Sequence, residues 1–402
     1  MKIAIVGAGP AGLCAGRHCL KENFSFDIYE QTGVIGGTWN YFPCTDYDEN
    51  GILVHSSMYK DLKTNLPKEI MTYEDLPYPD YYESYMSHEQ VLDYVKSYSK
   101  KFRLEDHIKL FKQIVNVEPQ GNIWLVEFED VRNKQKEVEF YDAVMICNGH
   151  CKEAIIPKIP GICSFQGTIS HSRHYRTSEI YKGKKVLIIG AGTSGCGISN
   201  QISSVADKVY VSCKSGPFLP LSDYVREKPL VTEVDGNTAF FTDGTKEKID
   251  AVLYCTGYKY SVPFLSNKRG VNVTDKHIHP LYKQIIISIE HPTLAFIGLP
   301  LITSYFPLFD IQVRFFLSTL NGHYTLPAKK EMLQNLNHAV AKPVREYHVL
   351  DHATGDYFEE LATEANIKRI SPVIAKLYTY LSTNRIISGR FRIIDDENWE
   401  NL

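Results

Sequence analysis

Two glycine triplets are the residues whose type and spacing most clearly point to chemistry. Both follow the pattern GxGxxG, with Gly7, Gly9 and Gly12 in KIAIVGAGPAG and Gly190, Gly192 and Gly195 in KVLIIGAGTSG. The first glycine permits a tight turn, the second lets a pyrophosphate approach the backbone, and the third lets a helix pack closely against the strand. The phosphates then face the free N–H groups of the helix N-terminus. The sequence therefore predicts two dinucleotide-binding turns, which also include Pro10, Ala11, Thr193 and Ser194.

An acidic residue and a further glycine pair follow the first turn. Glu30 ends the next apolar strand, FDIYE, where a carboxylate can accept hydrogen bonds from both hydroxyls of a ribose. The segment EQTGVIGGTW then places Gly37, Thr38 and Trp39 after this acid, an arrangement typical of FAD sites rather than NAD sites. Trp39 either packs near the flavin ring or fills the core. We predict that the first turn binds FAD.

The second turn is followed by a different pair of residues. Its next strand, KVYVSCKS, ends in Ser212 and Lys214 rather than in a carboxylate. A carboxylate repels a 2′-phosphate, whereas a hydroxyl and an ammonium group can bind it. We therefore predict NADPH rather than NADH at this turn. The alternative is that Lys214 is an ordinary solvated surface lysine.

The cysteines do not form a redox or metal-binding pattern. The chain has nine of them, scattered, with no CxxC, and Cys44 stands alone in the loop after the first turn. This argues against a disulfide framework, against a zinc site and against electron transfer through a dithiol. We predict no metal site, and a reducing compartment fits this cysteine usage best.

The elements that carry these turns predict an α/β fold. It contains two doubly wound Rossmann-like dinucleotide-binding domains, with the second inserted in the first. We assign residues 1–160 to the first part of the FAD-binding domain, 161–299 to the NADPH-binding domain, and 300–402 to a C-terminal return to the first. Helices are predicted at 88–101, 309–321, 328–341 and 355–366. The strands AVLYC (251–255) and TLAFIG (293–298) are predicted to be the last of the second domain.

Composition excludes several classes of function. The 44 basic and 47 acidic residues give a net charge of −3, which does not favour nucleic-acid binding. No run of about 18 apolar residues could span a bilayer, and no signal peptide precedes the first strand. We expect a soluble cytoplasmic protein. The sequons at Asn23 and Asn272 keep secretion open if a leader was removed. A homo-oligomer is compatible with the sequence.

The segment between the two turns resembles a known family fingerprint. FQGTISHSRHY contains Phe165, Gly167, His171 and Tyr175 in the spacing FxGxxxHxxxY, which resembles the fingerprint of flavin-containing monooxygenases. KTNLPKEIM, NGH and CTGY, at 63–71, 148–150 and 255–258, are similar to further family segments. A Baeyer–Villiger monooxygenase would be expected to have Trp in place of Tyr175. The short length and the segment LKTNLPKEIM most resemble the insect branch of this family, which includes pyrrolizidine-alkaloid N-oxygenases.

The resemblance also implies roles that spacing alone does not give. It places Asn65 beside the flavin and the nicotinamide, Val115 near the adenine of FAD, and Gln312 near the flavin. It further implies cofactor contacts for Asn148, Gly149, Thr256 and Gly257. His171 is expected to be a buried histidine with a structural hydrogen bond rather than a catalyst. The C-terminal segment FRIIDDENWENL lacks the hydrophobic anchor of membrane-bound members.

The mechanism implied by the resemblance uses two cofactors and dioxygen. NADPH reduces FAD, dioxygen adds to give a C4a-hydroperoxide, and bound NADP⁺ with Asn65 keeps water away. A tertiary amine, an alkaloid or a sulfide then takes up one oxygen atom. Three alternatives remain open: an N-hydroxylating monooxygenase of primary amines, an NADPH-linked reductase or oxidase without oxygen transfer, and a silent nucleotide sensor. Candidate substrate-pocket walls are the segments 40–86, 258–264 and 303–310.

Overall fold

Apolar runs ending in glycine turns form the centre of both sheets. The computed structural model describes residues 1–266, 270–287, 290–340 and 347–402. The α-helices are α1 (Pro10–Lys21), α2 (His88–Lys101), α3 (Thr193–Ile202), α4 (Tyr305–Leu320), α5 (Lys329–Val340), α6 (Thr354–Glu364) and α7 (Pro372–Asn384). Short 3₁₀ turns span Gly37–Trp39, Lys68–Ile70, Leu104–His107, Ile162–Ser164, Ser172–His174, Glu179–Tyr181 and Asp351–Ala353.

The strands divide between the two halves of the chain. The first twelve are β1 (Lys2–Val6), β2 (Ser25–Tyr29), β3 (Ile108–Lys109), β4 (Lys112–Gln120), β5 (Ile123–Asp130), β6 (Lys136–Tyr141), β7 (Ala143–Ile146), β8 (Glu153–Ala154), β9 (Thr168–His171), β10 (Lys185–Ile189), β11 (Lys208–Ser212) and β12 (Val225–Lys228). The others are β13 (Val231–Asp235), β14 (Thr238–Phe241), β15 (Lys246–Lys248), β16 (Ala251–Tyr254), β17 (Tyr258–Lys259), β18 (Asn272–Val273), β19 (Ile278–His279), β20 (Leu281–Tyr282), β21 (Ile286–Ile287), β22 (Leu294–Phe296), β23 (Phe391–Ile393) and β24 (Trp399–Asn401).

The first domain is built on a seven-stranded sheet of order β20-β21-β22-β7-β1-β2-β3. Inside this sheet, β1 pairs in parallel with both β2 and β7. Ile3, Ala4 and Ile5 of β1 have no exposed surface, as expected for a parallel strand covered on both faces. One face packs against α1, α2 and α4, and the other against the antiparallel meander β4-β5-β6.

The second domain repeats this plan with fewer strands. Its sheet has the order β12-β11-β10-β16-β9, and every pairing in it is parallel. One face packs against α3, and the antiparallel strands β13-β14-β15 cover the other. The predicted α/β fold with two Rossmann-like units is therefore confirmed.

One strand belongs to a different domain from the one predicted. We expected TLAFIG to be the last strand of the second domain, but β22 pairs in parallel with β7 of the first sheet. The chain therefore returns to the first domain before residue 299, because β20 and β21 also belong to that sheet. AVLYC, by contrast, forms β16 beside β10, as predicted.

The helices follow the sequence signals closely. α2 spans the predicted residues 88–101, and Ser87 and Gln90 form a reciprocal capping box at its start. α4, α5 and α6 lie at the three other predicted positions. α7, which we did not predict, begins with Pro372 and packs against Ile70 and Tyr85. Among the described residues, no helix is both long enough and apolar enough to cross a bilayer.

Candidate functional site

The first glycine turn admits no side chain at two of its three glycines. Gly7 has a φ of +106°, and a Cβ there would lie 2.6 Å from the carbonyl oxygen of Cys147. A Cβ on Gly12 would lie 1.8 Å from the carbonyl oxygen of Gly7. Both distances are far inside van der Waals contact, so only glycine fits. The N-terminus of α1 is thereby held close against β1, with its free N–H groups at the carboxyl edge of the sheet.

The second glycine of this turn faces another glycine. A Cβ on Gly9 would lie 3.5 Å from the Cα of Gly37, and a Cβ on Gly37 would lie 3.0 Å from the Cα of Gly9. The amide of Gly36 donates a 2.9 Å hydrogen bond to the carbonyl of Ala8, which ties the two loops together. The loop after β2 therefore packs directly on the turn, and the missing side chains of Gly9 and Gly37 permit this close approach of the two backbones.

Glu30 is fixed where a ribose-binding carboxylate should be. It lies at the carboxyl end of β2 and only 4% of it is exposed. One carboxylate oxygen accepts a 3.0 Å hydrogen bond from the amide of Ala8, and the other accepts bonds of 2.9 Å from both the amide and the hydroxyl of Thr32. A carboxylate has about four acceptor positions, so Glu30 keeps capacity for a ribose hydroxyl.

The neighbouring predicted residues have mixed environments. Thr38 is exposed, and its carbonyl accepts a 2.8 Å hydrogen bond from the hydroxyl of Ser56. Trp39 is half-buried against the core that includes α1. This packing agrees with the simpler of the two roles given to Trp39, and it leaves contact with a flavin as a prediction.

The second glycine turn repeats the backbone geometry of the first. Gly190 has a φ of +104°, and a Cβ there would lie 2.4 Å from the carbonyl oxygen of Cys255. A Cβ on Gly195 would lie 2.1 Å from the carbonyl oxygen of Gly190. Gly192 differs, because a Cβ on it would find no atom within 4 Å. Gly192 and Thr193 are exposed at the N-terminus of α3 and Ser194 is half-buried, so the turn is accessible.

The two residues predicted to choose the coenzyme have opposite environments. Lys214 is exposed at the end of the strand and free to meet a phosphate. Ser212 is 1% exposed; its hydroxyl donates a 2.9 Å hydrogen bond to the carbonyl of Pro229 and accepts one of 2.9 Å from the amide of Val231. This hydroxyl would have to give up a backbone bond to reach a phosphate. The coenzyme role of both residues stays a prediction, with Lys214 the better placed.

The residues implied by resemblance near the flavin differ in accessibility. Asn65 is exposed. The amide of its neighbour Thr64 donates a hydrogen bond to the carbonyl of Met86, and the hydroxyl of Thr64 accepts one from the amide of Met86. Val115 lies at an irregularity in the register of β4, where the pairing shifts between Ile114 and Asn116. These are the positions at which a loop amide and a bulged strand could reach a ligand.

Most of the remaining residues that the resemblance implies as cofactor contacts already form hydrogen bonds within the protein. The Asn148 amide donates a 3.1 Å bond to the carbonyl of Ser261, and Gly149 is exposed with a φ of +69°. The hydroxyl of Thr256 donates to the carbonyl of Ile155, and the carbonyl of Gly257 accepts from the amide of Ile155. These bonds join the segment that follows β7 to the segment that follows β16.

Gln312 has no exposed surface. Its carbonyl oxygen accepts a 2.8 Å bond from the amide of Gly298, and its amide donates a 2.8 Å bond to the hydroxyl of Tyr357. Both ends of this side chain are therefore engaged inside the first domain. Contact with a flavin stays a prediction for Gln312.

The fingerprint segment serves as structure. His171 is 2% exposed, and its Nδ1 accepts a 3.0 Å bond from the amide of Arg173, which starts the 3₁₀ turn Ser172–His174. Burial lowers the pKa of His171 to about 4, so the ring is neutral at physiological pH. Tyr175 is fully buried and donates a 3.0 Å bond to Gln201. His171 is thus buried and accepts one hydrogen bond, as expected, and its exclusion from catalysis stays a prediction.

Two buried arginines in the same segment were missed by the sequence reasoning. Arg176 donates a 2.6 Å bond to the carbonyl of Phe42 and one of 3.0 Å to the carbonyl of Ser56. Arg173 donates a 2.6 Å bond to the carbonyl of Val54. We call this pair the arginine clamp, because it holds the segment 42–56 of the first domain against the second. The only signal in the sequence was a pair of arginines three apart, with Arg173 inside the fingerprint and Arg176 directly after it.

A group of rings lies where the carboxyl end of β7 leaves the first sheet. The ring of His150 lies 5.6 Å from that of Tyr260 and 6.5 Å from that of Tyr305. Two of the candidate pocket walls, 258–264 and 303–310, thus meet at His150. Burial lowers the pKa of His150 to about 4, so this ring is also uncharged at neutral pH. We call His150, Tyr260 and Tyr305 the aromatic wall.

A second group of polar atoms lies beneath the first turn. Ligand-type atoms of Cys14, His18 and Asp310 lie within 4.8 Å of one another and are buried. His18 and Arg314 each approach the Asp310 carboxylate to 2.6 Å, so a metal ion there would face a guanidinium cation. We interpret the group as an ionic link between α1 and α4, and the absence of a metal cofactor stays a prediction.

Comparison with known proteins identifies relatives over most of the chain. A family model described as "Flavin-binding monooxygenase-like" matches residues 1–223 and 217–381. The chain is 34% identical over 389 residues to the Arabidopsis thaliana "Flavin-containing monooxygenase FMO GS-OX5", covering 90% of this chain and 84% of the relative.

Solved structures show the same likeness in three dimensions. The S-allyl-L-cysteine S-oxygenase from Allium sativum superimposes with a TM-score of 0.89 at 32% identity, covering 96% of this chain and 92% of the other. Tmm from Pelagibacter sp. strain HTCC7211 gives a TM-score of 0.86 at 25% identity, with the same two coverages. The first match of the family model, over residues 1–223, includes both glycine turns and the fingerprint segment between them.

Proposed function

The chain belongs to the flavin-binding monooxygenase-like family, and on that premise we propose that it oxygenates a soft nitrogen or sulfur atom of a small molecule, using FAD and NADPH. One atom of dioxygen joins the substrate and the other leaves as water, while NADPH and a proton supply two electrons and the hydrogens. This proposal rests on the pair of glycine turns, of which the first is covered by a loop and the second is open. They lie in two domains that the arginine clamp holds together.

The described residues fit both cofactors. The first turn carries Glu30 beside it and the loop with Gly37 packed on it, and we assign FAD to this turn. The second turn and Lys214 would hold NADPH. The flavin, when bound and reduced, supplies the oxygen-transfer chemistry, so the protein needs no nucleophile or metal of its own.

The protein's own contribution is to position groups and exclude water. We propose that the exposed Asn65 amide orients the two rings, since an amide both donates and accepts hydrogen bonds. We propose that the uncharged rings of the aromatic wall form part of the substrate pocket. Neutral His150 adds neither a proton donor of low pKa nor a positive charge, which suits a dry site.

The substrate class follows from the relatives by analogy. One solved neighbour is named for S-oxygenation of S-allyl-L-cysteine. We therefore include sulfides, together with the tertiary amines and plant alkaloids implied by the sequence resemblance. Thioethers and unprotonated tertiary amines share a lone pair that can attack an electrophilic oxygen.

Isotope labelling tests this proposal directly. With NADPH and ¹⁸O₂, the product of a sulfide or tertiary amine should gain one labelled oxygen by mass. Reduced holoenzyme mixed with oxygen and NADP⁺ in a stopped-flow instrument should show the transient absorbance of the C4a-hydroperoxide. NADPH consumption without label in any product would instead indicate a reductase or oxidase, and hydroxylamine formation from primary amines would indicate an N-hydroxylating enzyme.

Asn65→Leu offers a second test that separates orientation from folding. We expect normal FAD content and melting temperature, because the side chain is exposed. Product formed per NADPH consumed should fall at least tenfold. Unchanged coupling would remove Asn65 from the proposal without affecting the rest.

A further inference from the structure

The second domain contains a cleft that is lined with lysines. Its walls come from the first residues of β10 and β11 and from the antiparallel strands β14 and β15, and its volume is about 420 Å³. Pockets that bind small molecules typically measure about 300–1,000 Å³. Four lysines are among the residues that line this cleft: Lys185, Lys208, Lys246 and Lys248. Its size suits a small molecule, and its charge suits an anion.

The strands place these four lysines in two pairs of like charge. Lys185 and Lys208 are register partners on β10 and β11, and adjacent strands lie about 4.8 Å apart. Lys246 and Lys248 are two residues apart on β15, so they share one face of that strand. Like charges at neighbouring positions of a sheet repel each other. In the part of the chain that the structure describes, none of the four forms an ion pair, so an anion from outside the chain would relieve the repulsion.

The carboxylate that lines the cleft already has partners. Glu247 forms a 2.6 Å ion pair with Lys228, and its other oxygen accepts a 2.9 Å hydrogen bond from the hydroxyl of Tyr210. The hydrogen bond from Lys228 lowers the pKa of Glu247, and the charge of Lys208 contributes to the lowering. One ionised carboxylate thus meets several ammonium groups and does not neutralise them.

Two further carboxylates border the same strands. Asp250 is exposed and accepts a 2.8 Å hydrogen bond from the backbone amide of Lys185. Asp207 is exposed and directly precedes β11. With Lys228 and Glu247 included, five lysines stand against three carboxylates, so the cleft keeps an excess of positive charge.

The cleft is separate from the second glycine turn. Lys185 begins β10, and Ile189 ends it just before Gly190. A strand rises about 3.3 Å per residue, so the two ends of β10 lie about 13 Å apart. The cleft is therefore at the amino edge of this sheet, whereas the turn is at the carboxyl edge. The pyrophosphate of NADPH at the turn would not fill the cleft.

We propose that this cleft binds a polyphosphate group, either free or carried by a nucleotide. Phosphate oxygens form strong, charge-assisted hydrogen bonds with ammonium groups, and a chain of phosphates can reach several of them at once. Phe240 is half-buried and is the cross-strand partner of Lys246, so a nucleotide base could stack on its ring. The inference goes beyond the proposed function and does not depend on oxygen transfer.

Calorimetry with the FAD-bound protein in saturating NADP⁺ tests the proposal, because both glycine turns are then occupied. Tripolyphosphate should bind roughly tenfold or more tightly than orthophosphate, since it reaches more ammonium groups. Adenosine should not bind. ATP distinguishes the two sources of the group: tighter binding than tripolyphosphate would identify a nucleotide, and equal binding a free polyphosphate.

A pair of matched double variants locates the site. Lys246→Gln/Lys248→Gln should weaken tripolyphosphate binding roughly tenfold or more. Lys96→Gln/Lys100→Gln is the control, because it removes the same charge from exposed positions on α2 of the first domain and should keep the full affinity. All four lysines are exposed, so we expect both variants to melt at the temperature of the wild type.

Lys208→Gln tests the like-charged pair on β10 and β11. This variant should also bind tripolyphosphate more weakly. Without ligand at low ionic strength, where charges are screened least, it should melt no earlier than the wild type, because it removes a repulsion.

Three results would overturn the inference. One is the absence of tripolyphosphate binding to the wild type. Another is an equal loss of affinity in the two double variants, which would indicate general attraction to a basic surface. The third is displacement of NADP⁺ by tripolyphosphate, which would place the anion at the second glycine turn.

Discussion

The two glycine-rich turns have nearly the same backbone and different surroundings. Gly7 and Gly190 adopt φ values of +106° and +104°. A second loop covers the first turn, because Gly9 lies against Gly37, whereas nothing lies within 4 Å of a Cβ built on Gly192. One structural unit thus provides a closed groove suited to a cofactor that stays bound and an open one suited to a coenzyme that exchanges. The difference comes from the covering loop and not from the turn.

The residues at the ends of the following strands differ as well. Glu30 closes the first groove with a carboxylate held by three hydrogen bonds. At the second turn, Lys214 provides an exposed cation instead. Since a carboxylate binds ribose hydroxyls and an ammonium group binds phosphate, the two turns should respond to different substitutions.

The largest effect is expected at a glycine that packs against the backbone, and it contrasts with the effect expected at the exposed Gly192. Gly12→Val places atoms 1.8 Å or closer to the carbonyl oxygen of Gly7, so the backbone must move. We expect colourless protein or none that folds, at a cost of about 3 kcal/mol or more. Flavin absorbance and the melting temperature measure this.

Gly192→Ala is the matched change in the second turn. Its φ of −72° suits alanine and its surroundings are open, so folding and FAD content should be unchanged. Only the KM for NADPH should rise, because the methyl group obstructs the approach of the pyrophosphate. Loss of FAD from this variant would refute the assignment of the two turns.

The next effect concerns the ionic link under the first turn. Burial alone would raise the pKa of Asp310, but the charges of His18 and Arg314 lower it to about 2. Asp310→Asn leaves Arg314 without its partner, and we expect it to destabilise the fold by about 3 kcal/mol in chemical unfolding.

The wild type should lose this contribution in acid. A depressed pKa stabilises the fold fully above the ordinary aspartate value of about 4, and the contribution disappears as the pH falls towards 2. Unfolding curves between these pH values should converge for the wild type and Asp310→Asn. A constant difference across this range would show that the ionic link contributes nothing.

Glu30→Gln should weaken FAD binding specifically. A hydrogen bond to a charged group contributes about 1.5–3 kcal/mol, so the Kd for FAD should rise roughly 10- to 100-fold. The shape is preserved, and KM for NADPH should not change. Equal FAD affinity in the variant and the wild type would remove Glu30 from the site.

The smallest expected effect tests coenzyme choice at the second turn. Lys214→Met should raise the KM for NADPH about tenfold, or about 1.4 kcal/mol, and leave that for NADH unchanged. Ser212→Ala should instead lower stability by about 1 kcal/mol, because its hydroxyl bonds only to backbone. If Ser212→Ala changed coenzyme preference and Lys214→Met did not, the two roles would have to be exchanged.

Local signals predicted the parts of this molecule that depend on neighbours in sequence. The helical pattern of residues 88–101 located α2, and the glycine spacing located both turns. Domain membership of β22 was not predicted correctly, because an apolar strand carries no label for the sheet it joins. Pairing with β7, about 150 residues earlier in the chain, is decided by tertiary packing.

The clamp and the ionic link lay beyond sequence reasoning for a related reason. Arg176 binds carbonyl groups, and every residue offers a carbonyl, so no side-chain pattern marks the partner. Asp310 meets His18 across nearly the whole chain. For Ser212, residue type suggested a ligand contact, but the fold supplied two backbone partners.

The carbonyl partners of Arg176 have a consequence for motion between the domains. Neither a guanidinium group nor a peptide carbonyl changes protonation in the physiological range, so we expect the two Arg176 contacts themselves to be insensitive to acidification. Because Phe42 and Ser56 are bound by the same side chain, separation would have to break both contacts together. Arg176 therefore fixes the segment 42–56 to the second domain at two points, and we expect coenzyme exchange to proceed with both contacts in place.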